Sequence, residues 1–351
     1  MHTPTEADPL FLRACRGEPT ETTPVWLMRQ AGRYMAEYRA IRARADFLTL
    51  CHDPALACEV TLQPIARLGV DAAILFSDLL VPLEPMGAVV KFPEGGPEIE
   101  QGVTRPDDVH RLRTPPAADT LNFVGDAIRL LVRALPAHVP LIGFAGAPFT
   151  LASYLIEGGG SKQFARTKAF LYQHPAEAEV LFDKLALVVA DFLRLQIDAG
   201  CRAVQIFDSW AGALDPEDYA RWGLRYTRRI VDAVRRPGVP VIVFAKGTGT
   251  YFEQVAQTGA DVLGVDWTLR MDQARALAGP GVALQGNLDP CRLLGEWAPL
   301  QAAADRVLDQ AGTTGHIFNL GHGILPQTNP DQVKRLVDHV HAASTARRSR
   351  A

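Results

Sequence analysis

Eight short apolar runs recur along the chain, and stretches with helical periodicity separate most of them. The predicted strands span residues 24–28, 71–76, 139–144, 203–207, 239–244, 262–265, 282–285 and 316–320. Continuous apolar runs between polar turns are typical of parallel strands that helices cover on both faces. The intervening sequence predicts helices, among them 163–173, 175–199 and 216–234. Eight strands alternating with helices predict an α/β protein folded as a (β/α)8 TIM barrel, and an open doubly wound sheet is the alternative.

We expect the 351 residues to form a single domain, because we find no domain boundary along the chain. The most linker-like stretch, residues 92–120, is rich in proline, glycine and charge. It falls between the second and third predicted strands, so we interpret it as a long loop near the mouth of the barrel. An N-terminal extension precedes the first strand, and we expect flexible termini near residues 1–9 and 343–351.

Composition and charge exclude several functional classes. The net charge is −3, and no lysine- or arginine-rich block is long enough to predict a nucleic-acid partner.

Residues 139–156 carry no charge, but their prolines and glycines interrupt any helix. We therefore predict a buried strand, a turn and a helix there, and no membrane span. Residues 1–14 lack the apolar core of a signal peptide, and the five cysteines are scattered, which favours free thiols in the cytoplasm.

Polar or otherwise distinctive residues follow each predicted strand. They are Arg29, Asp78, the Gly-Ala-Pro turn at 146–148, Asp208 with Ser209, Lys246, Asp266, Asn287 with Asp289, and His322. All strand ends of a parallel barrel open on one face, where active sites are built. Polar residues at about half of these positions also suit helix caps, but arginine, lysine and histidine are not natural caps. We therefore expect Arg29, Lys246 and His322 to mark a functional site.

An arginine cluster follows the first predicted strand. Between residues 26 and 44 the chain has five arginines and one glutamate, namely Arg29, Arg33, Arg39, Arg42, Arg44 and Glu37. Guanidinium groups bind carboxylates and phosphates through paired hydrogen bonds, so the cluster predicts a small polyanionic ligand. Arg29 and Arg33 share a face if the turn is helical. Arg39 and Arg44 fit a solvated helix face, and Arg42 is intermediate.

Four further residues have both a structural and a functional interpretation. Asp78 either pairs with an arginine, accepts hydrogen bonds from substrate N–H groups, or does both. Tyr154 is either a core residue or a phenol that reaches the site from a helix start. Ser209 is more typical of a hydrogen-bonding or capping serine than of a nucleophile, since no Gly-x-Ser-x-Gly turn surrounds it. His322 lies between two glycines that let the backbone approach a ligand.

Motifs for common cofactors are missing from the sequence. We find no Gly-x-Gly-x-x-Gly, no Walker loop, no His-Glu-x-x-His and no His-x-Cys. We therefore expect chemistry that requires neither a nucleotide cofactor nor a metal.

Several segments resemble the uroporphyrinogen decarboxylase family. Residues 24–34 and 143–161 are similar to its two signature segments, and shorter matches lie at 76–78, 207–212, 264–267, 285–290 and 319–323. The similarity extends from residue 10 to residue 341, which is nearly the whole chain.

The resemblance implies a cytosolic, homodimeric (β/α)8 enzyme of haem and tetrapyrrole biosynthesis that uses no cofactor. Its substrate would be uroporphyrinogen III, a flexible macrocycle with eight carboxylates, whose four acetates lose CO2 to give coproporphyrinogen III. At matching positions, Asp78 and Arg29 would serve in catalysis. The implied substrate-binding residues are Arg29, Gln30, Ala31, Gly32, Arg33, Arg42, Asp78, Tyr154, Ser209 and His322.

Two alternative functions stay open. A corrinoid-linked, zinc-dependent methyltransferase family shares this barrel, but its chemistry needs thiolate or imidazole ligands for zinc. The missing His-x-Cys pair argues against it. A carrier that binds a tetrapyrrole without reacting would need the arginines but not Asp78.

Overall fold

The computed structural model describes residues 8–93 and 96–350 of the chain. Its main sheet consists of seven parallel strands: β1 (Ala73–Ile74), β4 (Leu141–Gly146), β5 (Ala203–Asp208), β6 (Val241–Ala245), β7 (Val262–Gly264), β8 (Ala283–Leu288) and β9 (His316–Leu320). They pair in chain order, from β1 at one edge to β9 at the other. The two remaining strands, β2 (Val89–Lys91) and β3 (Glu98–Glu100), form a separate antiparallel hairpin. The sequence prediction is thus confirmed for seven of its eight strands, with small shifts of their ends.

The predicted first strand, residues 24–28, is not a regular strand. Val25 makes a single parallel bridge to Phe318 of β9, and the Phe318 N–H donates to Pro24 O at 2.9 Å. On the other side, the Asp71 N–H just before β1 donates to Val25 O at 2.7 Å. The Trp26 N–H donates to Phe318 O at 3.4 Å. Side-chain oxygens of Gln30 and Asn319 then accept the Leu27 and Met28 N–H groups, which ends the strand ladder. The segment therefore lies between the two edge strands of the sheet.

Helices alternate with the strands along the chain. The longer ones are α1 (Leu10–Cys15), α2 (Ala36–Arg42), α3 (Phe47–His52), α4 (Pro54–Leu68), α8 (Asn122–Ala134), α9 (Pro148–Glu157), α10 (Ala165–Gln173), α11 (Pro175–Ala199), α13 (Arg225–Val234), α14 (Phe252–Ala256), α15 (Met271–Ala278), α16 (Trp297–Ala311) and α17 (Pro330–Arg348). Short helices are α5 (Leu83–Met86), α6 (Asp108–Arg111), α7 (Ala117–Thr120) and α12 (Pro216–Asp218), with a π-helical turn at Tyr219–Leu224 and 3-10 turns at Ala211–Ala213, Gly249–Tyr251 and Pro290–Leu294.

The helix predictions are confirmed. The predicted helix 163–173 corresponds to α10, 175–199 to α11, and 216–234 to α12 and α13 joined by the π-helical turn. The uncharged stretch 139–156 is β4, a turn and most of α9, as predicted. No helix in the described part of the chain is both long enough and apolar enough to cross a bilayer.

The stretch 92–120, predicted as a long loop, contains regular structure. It includes β3, α6 and α7, although Glu94 and Gly95 lie outside the described residues. The Ile99 N–H donates to Gly158 O, and the Val103 N–H donates to Leu155 O, both at 2.9 Å. Ile99 and Val103 are also buried. The loop prediction was therefore wrong for much of this stretch, because buried side chains and backbone hydrogen bonds anchor it along the end of α9.

The C-terminal residues are more ordered than the sequence suggested. Helix α17 continues to Arg348, so the flexible end predicted from residue 343 was wrong for most of its length. The Arg348 guanidinium donates to Thr23 Oγ1 at 3.1 Å and to Thr313 O at 2.7 Å. These contacts tie the end of the helix to the segment that precedes Val25. At the other terminus, residues 1–7 lie outside the described residues, and α1 begins at Leu10.

Apolar side chains fill the interior of the sheet. Successive strands β4 to β9 contribute Ile142, Ala203, Ile242, Phe244, Val262, Ala283 and Ile317, which pack with Trp26 and Met28. The Trp26 indole N–H donates to Gln285 Oε1 at 2.8 Å, and the Gln285 amide donates to Gln205 Oε1 at 3.1 Å. Because the interior is occupied, a ligand has room only beyond the ends of the strands.

Candidate active site

The carboxyl ends of the seven strands lie along one edge, because the strands are parallel. The predicted site residues follow different strands, and we call the surface that they form the mouth. It comprises Arg29 after the 24–28 segment, Asp78 after β1, Tyr154 on α9, Ser209 after β5, Lys246 after β6, Asp266 after β7 and His322 after β9. The strand-end rule therefore brings together residues that are far apart in the sequence.

The backbone and a neighbouring glycine hold Arg29 at the mouth. Its φ of +60° lies in the left-handed region, which is uncommon for arginine. The preceding Met28 N–H donates to Asn319 Oδ1 at 3.0 Å, and Met28 O accepts the Ile324 N–H at 2.9 Å. The side-chain stem lies against Gly323, where a Cβ would come within 2.4 Å of Arg29 Cδ. Arg29 is exposed, so its guanidinium can bind a carboxylate.

Gln30 lies beneath the mouth. Its side chain is buried, with Oε1 accepting the Leu27 N–H and Nε2 donating to Ala72 O, both at 3.1 Å. Its carbonyl accepts a hydrogen bond from the Tyr34 hydroxyl at 2.5 Å. The amide is thus engaged within the protein, where it ties the turn that carries Arg29 to the start of β1.

The rest of the arginine cluster is divided between solvent and backbone. Ala31 and Gly32 are half-buried in the turn, and Arg33 is exposed. Arg39 donates to Arg33 O at 2.9 Å, so it supports the turn and is not simply solvated. Arg42 is half-buried and donates to a backbone carbonyl just past the end of α2. Arg29 and Arg33 are therefore the members of the cluster best placed to bind an anion.

Asp78 is a half-buried carboxylate at the mouth. Its Oδ1 accepts the Leu80 N–H at 2.9 Å. Burial raises the pKa of Asp78 to about 6, whereas the Leu80 hydrogen bond and the positive charge of Arg29 oppose that rise. Within residues 8–93 and 96–350, Asp78 forms no salt bridge, so the arginine pairing considered from the sequence is not present. The carboxylate is consequently available to accept further hydrogen bonds.

Tyr154 lies near Asp78, and Ser209 follows β5, the next strand along the sheet after β4. The Tyr154 ring centroid is 6.0 Å from that of Trp210, which follows Ser209. Burial raises the pKa of Tyr154 to about 12, with a further increase from the charge of Asp78 and a decrease from that of Arg29. Tyr154 is thus a neutral phenol within electrostatic reach of both charges. Ser209 is half-buried in the turn after β5.

Asp208 is a further candidate site residue, for which the sequence predicted only a position at a strand end. It is buried, and its Oδ1 accepts the Thr150 hydroxyl at 2.8 Å. Its Oδ2 has no hydrogen-bond partner among the described residues, and burial raises the pKa of Asp208 to about 7. Thr150 also accepts the Trp210 N–H at 3.3 Å. The pair therefore supports the turn that carries Ser209, and no sequence signal distinguishes it from an ordinary cap.

His322 presents a neutral imidazole. Burial, together with the charges of Arg29 and Lys246, lowers the pKa of His322 to about 4. The Gly323 N–H donates to His322 Nδ1 at 2.7 Å. Because Nδ1 accepts this hydrogen bond, the proton of the neutral ring is on Nε2. His322 can therefore donate one hydrogen bond to a ligand.

Together these residues place cations and hydrogen-bond donors near the Asp78 carboxylate. Such a mouth suits a ligand with several carboxylates at its edge and N–H groups or positive charge at its centre. In the part of the chain that the structure describes, no three His, Cys, Asp or Glu side chains are grouped closely enough to bind a metal ion.

Comparison with known proteins identifies the family. The family model described as uroporphyrinogen decarboxylase (URO-D) matches residues 6–343. The chain belongs to the uroporphyrinogen decarboxylase family. A uroporphyrinogen decarboxylase of Myxococcus xanthus (strain DK1622) is 51% identical over 338 residues, which cover 96% of this chain and 97% of the relative. One of Geobacter metallireducens is 50% identical, with 95% of this chain and 98% of the relative covered.

Solved structures with lower sequence identity share the fold. A methyltransferase from Methanosarcina mazei superposes with a TM-score of 0.77 at 20% identity, covering 94% of this chain and 96% of that one. A putative vitamin-B12-independent methionine synthase from Listeria monocytogenes gives a TM-score of 0.57 at 13% identity, covering 96% and 99%. At these identities the likeness concerns architecture alone, whereas the half-identical relatives connect the chain to the decarboxylase family.

Proposed function

We propose that the chain is a carboxy-lyase that converts uroporphyrinogen III to coproporphyrinogen III by removing CO2 from its four acetate arms, without a cofactor. The observation that carries this proposal is the half-buried Asp78 carboxylate, which forms no salt bridge within residues 8–93 and 96–350 and lies at the mouth with Arg29 and His322. The relatives that are about half identical over nearly the whole chain carry the name of this activity.

We further propose that the sheet closes as a (β/α)8 barrel within a single domain. The 24–28 segment would be the eighth strand, which is supported by its hydrogen bonds to Phe318 on one side and Asp71 on the other. A homodimer in the cytoplasm follows from the family resemblance. The free state of all five cysteines is compatible with that compartment.

Asp78 would act by stabilising positive charge. Each decarboxylation breaks the bond between an acetate methylene and its carboxylate, and CO2 leaves without the bonding electron pair. If the attached pyrrole is first protonated, the electron pair neutralises that cationic ring. The exocyclic methylene then takes up a proton to become methyl, and the ring loses the proton that it gained. An ionised Asp78 that accepts the pyrrole N–H hydrogen bonds would stabilise the cation.

The arginines would mainly hold carboxylates that do not react. A guanidinium paired tightly with the departing carboxylate would stabilise the ground state and slow the reaction. Arg33 and Arg42 therefore fit the propionate arms, and Ala31 and Gly32 would let an arm approach the turn. Arg29 has a second role, because its positive charge favours the ionised form of Asp78. A guanidinium is a poor proton donor, so we do not assign the proton to Arg29.

The remaining mouth residues would orient the macrocycle. His322 offers an Nε2–H, and Tyr154 and Ser209 offer hydroxyl groups from neighbouring strand ends. Gln30 would contribute through the position of Arg29, since its own amide is buried and engaged.

The test is anaerobic incubation of the EDTA-treated protein with freshly reduced uroporphyrinogen III, followed by oxidation and separation of products by carboxyl number. We expect a progression from eight carboxyls to four without any added cofactor. Asp78→Asn should reduce turnover at least about a hundredfold, because it removes the charge opposite the cationic ring. Asp126→Asn, at an exposed helix position, is the control. If the wild-type protein binds uroporphyrinogen III but leaves it unchanged, the result would support a carrier. Normal turnover by a folded Asp78→Asn protein would refute the role of Asp78.

A further inference from the structure

Lys246 is a cation at the mouth with no role in the proposed reaction so far. It follows β6 and is half-buried, with its Nζ 5.7 Å from the ring centroid of Trp267. Trp267 is itself 40% exposed. An ammonium group beside an exposed indole resembles a binding position more than a core contact.

The backbone around Lys246 is fixed from both neighbouring elements. Its N–H donates to Asp208 O at 3.0 Å, and its carbonyl accepts the Gly212 N–H at 2.8 Å. The next residue, Gly247, packs so closely that a Cβ there would be 3.0 Å from Gly212 Cα. The side chain therefore leaves from a well-defined point at the end of β6.

The acidic strand end beside Lys246 does not pair with its ammonium group. The carboxylate on the adjacent strand end, Asp266, is buried, and both of its oxygens are engaged. Oδ1 accepts the N–H and the hydroxyl of Thr268, and Oδ2 accepts the Gly247 N–H. In residues 8–93 and 96–350, Lys246 forms no salt bridge. A half-buried charge without a partner favours a ligand that brings the opposite charge.

Topology places this cation across the mouth from Arg29. The segment that carries Arg29 is hydrogen-bonded towards both edge strands, β1 and β9, and β6 is the middle strand of the seven. The strand of Lys246 is therefore the one farthest from Arg29 in the sheet order. The charges of Arg29 and Lys246 nonetheless both lower the pKa of His322, so His322 lies within electrostatic range of each. This limits the width of the mouth.

We propose that Lys246, beside the indole of Trp267, binds a non-reacting carboxylate arm of the tetrapyrrole on the side of the mouth opposite Arg29. This inference rests on the proposed function and deepens it. Carboxylates surround the whole edge of the macrocycle, so an arginine cluster on one side cannot hold them all. A flexible ammonium also accepts a carboxylate from many directions, which suits arms that rearrange as each acetate is presented in turn.

The test compares Lys246→Met, Lys246→Arg and the control Lys334→Met, which removes an exposed lysine that pairs with Asp338 on α17. Anaerobic kinetics give kcat and KM for uroporphyrinogen III, and anaerobic equilibrium dialysis gives its Kd without requiring turnover. We expect Lys246→Met to raise KM and Kd about tenfold or more with kcat within about twofold, as loss of one charged hydrogen bond predicts. Lys246→Arg should stay within about threefold of wild type, and the control should not change.

Unchanged KM and Kd in Lys246→Met would overturn the inference. So would a loss of kcat at constant KM that arginine does not rescue, since that pattern indicates a structural or chemical role. Should Lys246→Met not fold, as judged by circular dichroism, Lys246→Gln provides a second uncharged variant. If wild type binds the substrate without releasing CO2, the proposed function fails, and the dialysis series still decides the role of Lys246.

Discussion

The Asp78 carboxylate should lower the stability of the fold although it supports the reaction. The substitution Asp78→Asn separates these two effects, because it should raise the free energy of unfolding and reduce turnover. Burial raises the pKa of Asp78 from 3.8 to about 6, so the folded protein binds this proton more tightly than the unfolded chain does. For such a group, the free energy of unfolding falls as the pH rises from about 4 to about 6. Above pH 6 the folded protein carries the full penalty of the buried charge.

The size of the effect follows from that pKa. A rise from 3.8 to about 6 corresponds to about 3 kcal/mol, because each pKa unit is worth 1.36 kcal/mol. Asp78 is only half-buried, and solvent screening reduces the expected value to about 1–2 kcal/mol. Asparagine retains an oxygen that can accept the Leu80 N–H. Asp78→Asn should therefore be more stable than wild type at neutral pH, although its turnover is lost.

Urea unfolding followed by circular dichroism measures the difference directly. At pH 7.5 we expect Asp78→Asn to have the larger free energy of unfolding, by about 1–2 kcal/mol. At pH 4.5 the difference should shrink by about a third to a half, because part of the folded wild-type protein then carries a protonated Asp78. Asp126→Asn should show neither effect. An Asp78→Asn protein less stable than wild type at pH 7.5 would refute the reasoning, since it would show that the carboxylate stabilises the fold.

The same pKa predicts the acid limb of the activity profile. Asp78 must be ionised to stabilise a cationic pyrrole, so kcat/KM should fall as the pH decreases through about 6. At pH 5 the ionised fraction, and hence kcat/KM, should be about tenfold smaller than its value at high pH. A kcat/KM that stays constant from pH 7 to pH 5 would contradict this role.

Three further substitutions test the rest of the mouth. Arg33→Ala should raise KM for uroporphyrinogen III about tenfold with little change in kcat, because this exposed guanidinium holds a non-reacting arm. A loss of kcat at constant KM would contradict this binding role. Burial keeps the pKa of His322 at about 4. His322→Gln should therefore lower kcat/KM about tenfold without moving the decrease of kcat/KM near pH 6. A shift of that decrease to another pH would show that His322 titrates in this range. Gly323→Ala should displace the stem of Arg29 and lower kcat/KM at least about tenfold with an intact fold. Gly295→Ala, where the added methyl meets a single carbonyl at 3.5 Å, is its control and should match wild type.

The fold was predictable where the sequence pattern and the packing agree. The runs that became β4 and β6 are apolar throughout, because helices cover one face and the filled interior covers the other. Residues 24–28 have the same apolar pattern, yet only Val25 makes a strand bridge. Side chains of Gln30 and Asn319 accept the Leu27 and Met28 N–H groups. Hydrophobic periodicity does not predict where a side-chain oxygen replaces the backbone carbonyl of a neighbouring strand.

The membership of the site was more predictable than the role of each member. The strand-end rule placed Asp78 and His322 on one face, whereas the sequence left Tyr154 as either a core residue or a phenol that reaches the site. The charges that act on the three pKa values agree with their proximity. Gln30 stands in the same motif as Arg29, but its buried amide faces the protein. Asp208 has a typical cap position in the sequence, and only three-dimensional packing shows its unpartnered oxygen. Sequence spacing specifies which elements meet, whereas burial and hydrogen bonding decide what each side chain does.

Arg29 illustrates how backbone strain can serve such a site. A left-handed conformation at a non-glycine residue costs about 1–3 kcal/mol, and it persists only where the surroundings enforce it. Here both polar backbone groups of Met28 are engaged, and Gly323 leaves space for the arginine stem. The exposed guanidinium makes no fold-stabilising ion pair in the described part of the chain, but its charge favours ionised Asp78. The strained turn is therefore best explained by the electrostatics of the mouth and not by the stability of the fold.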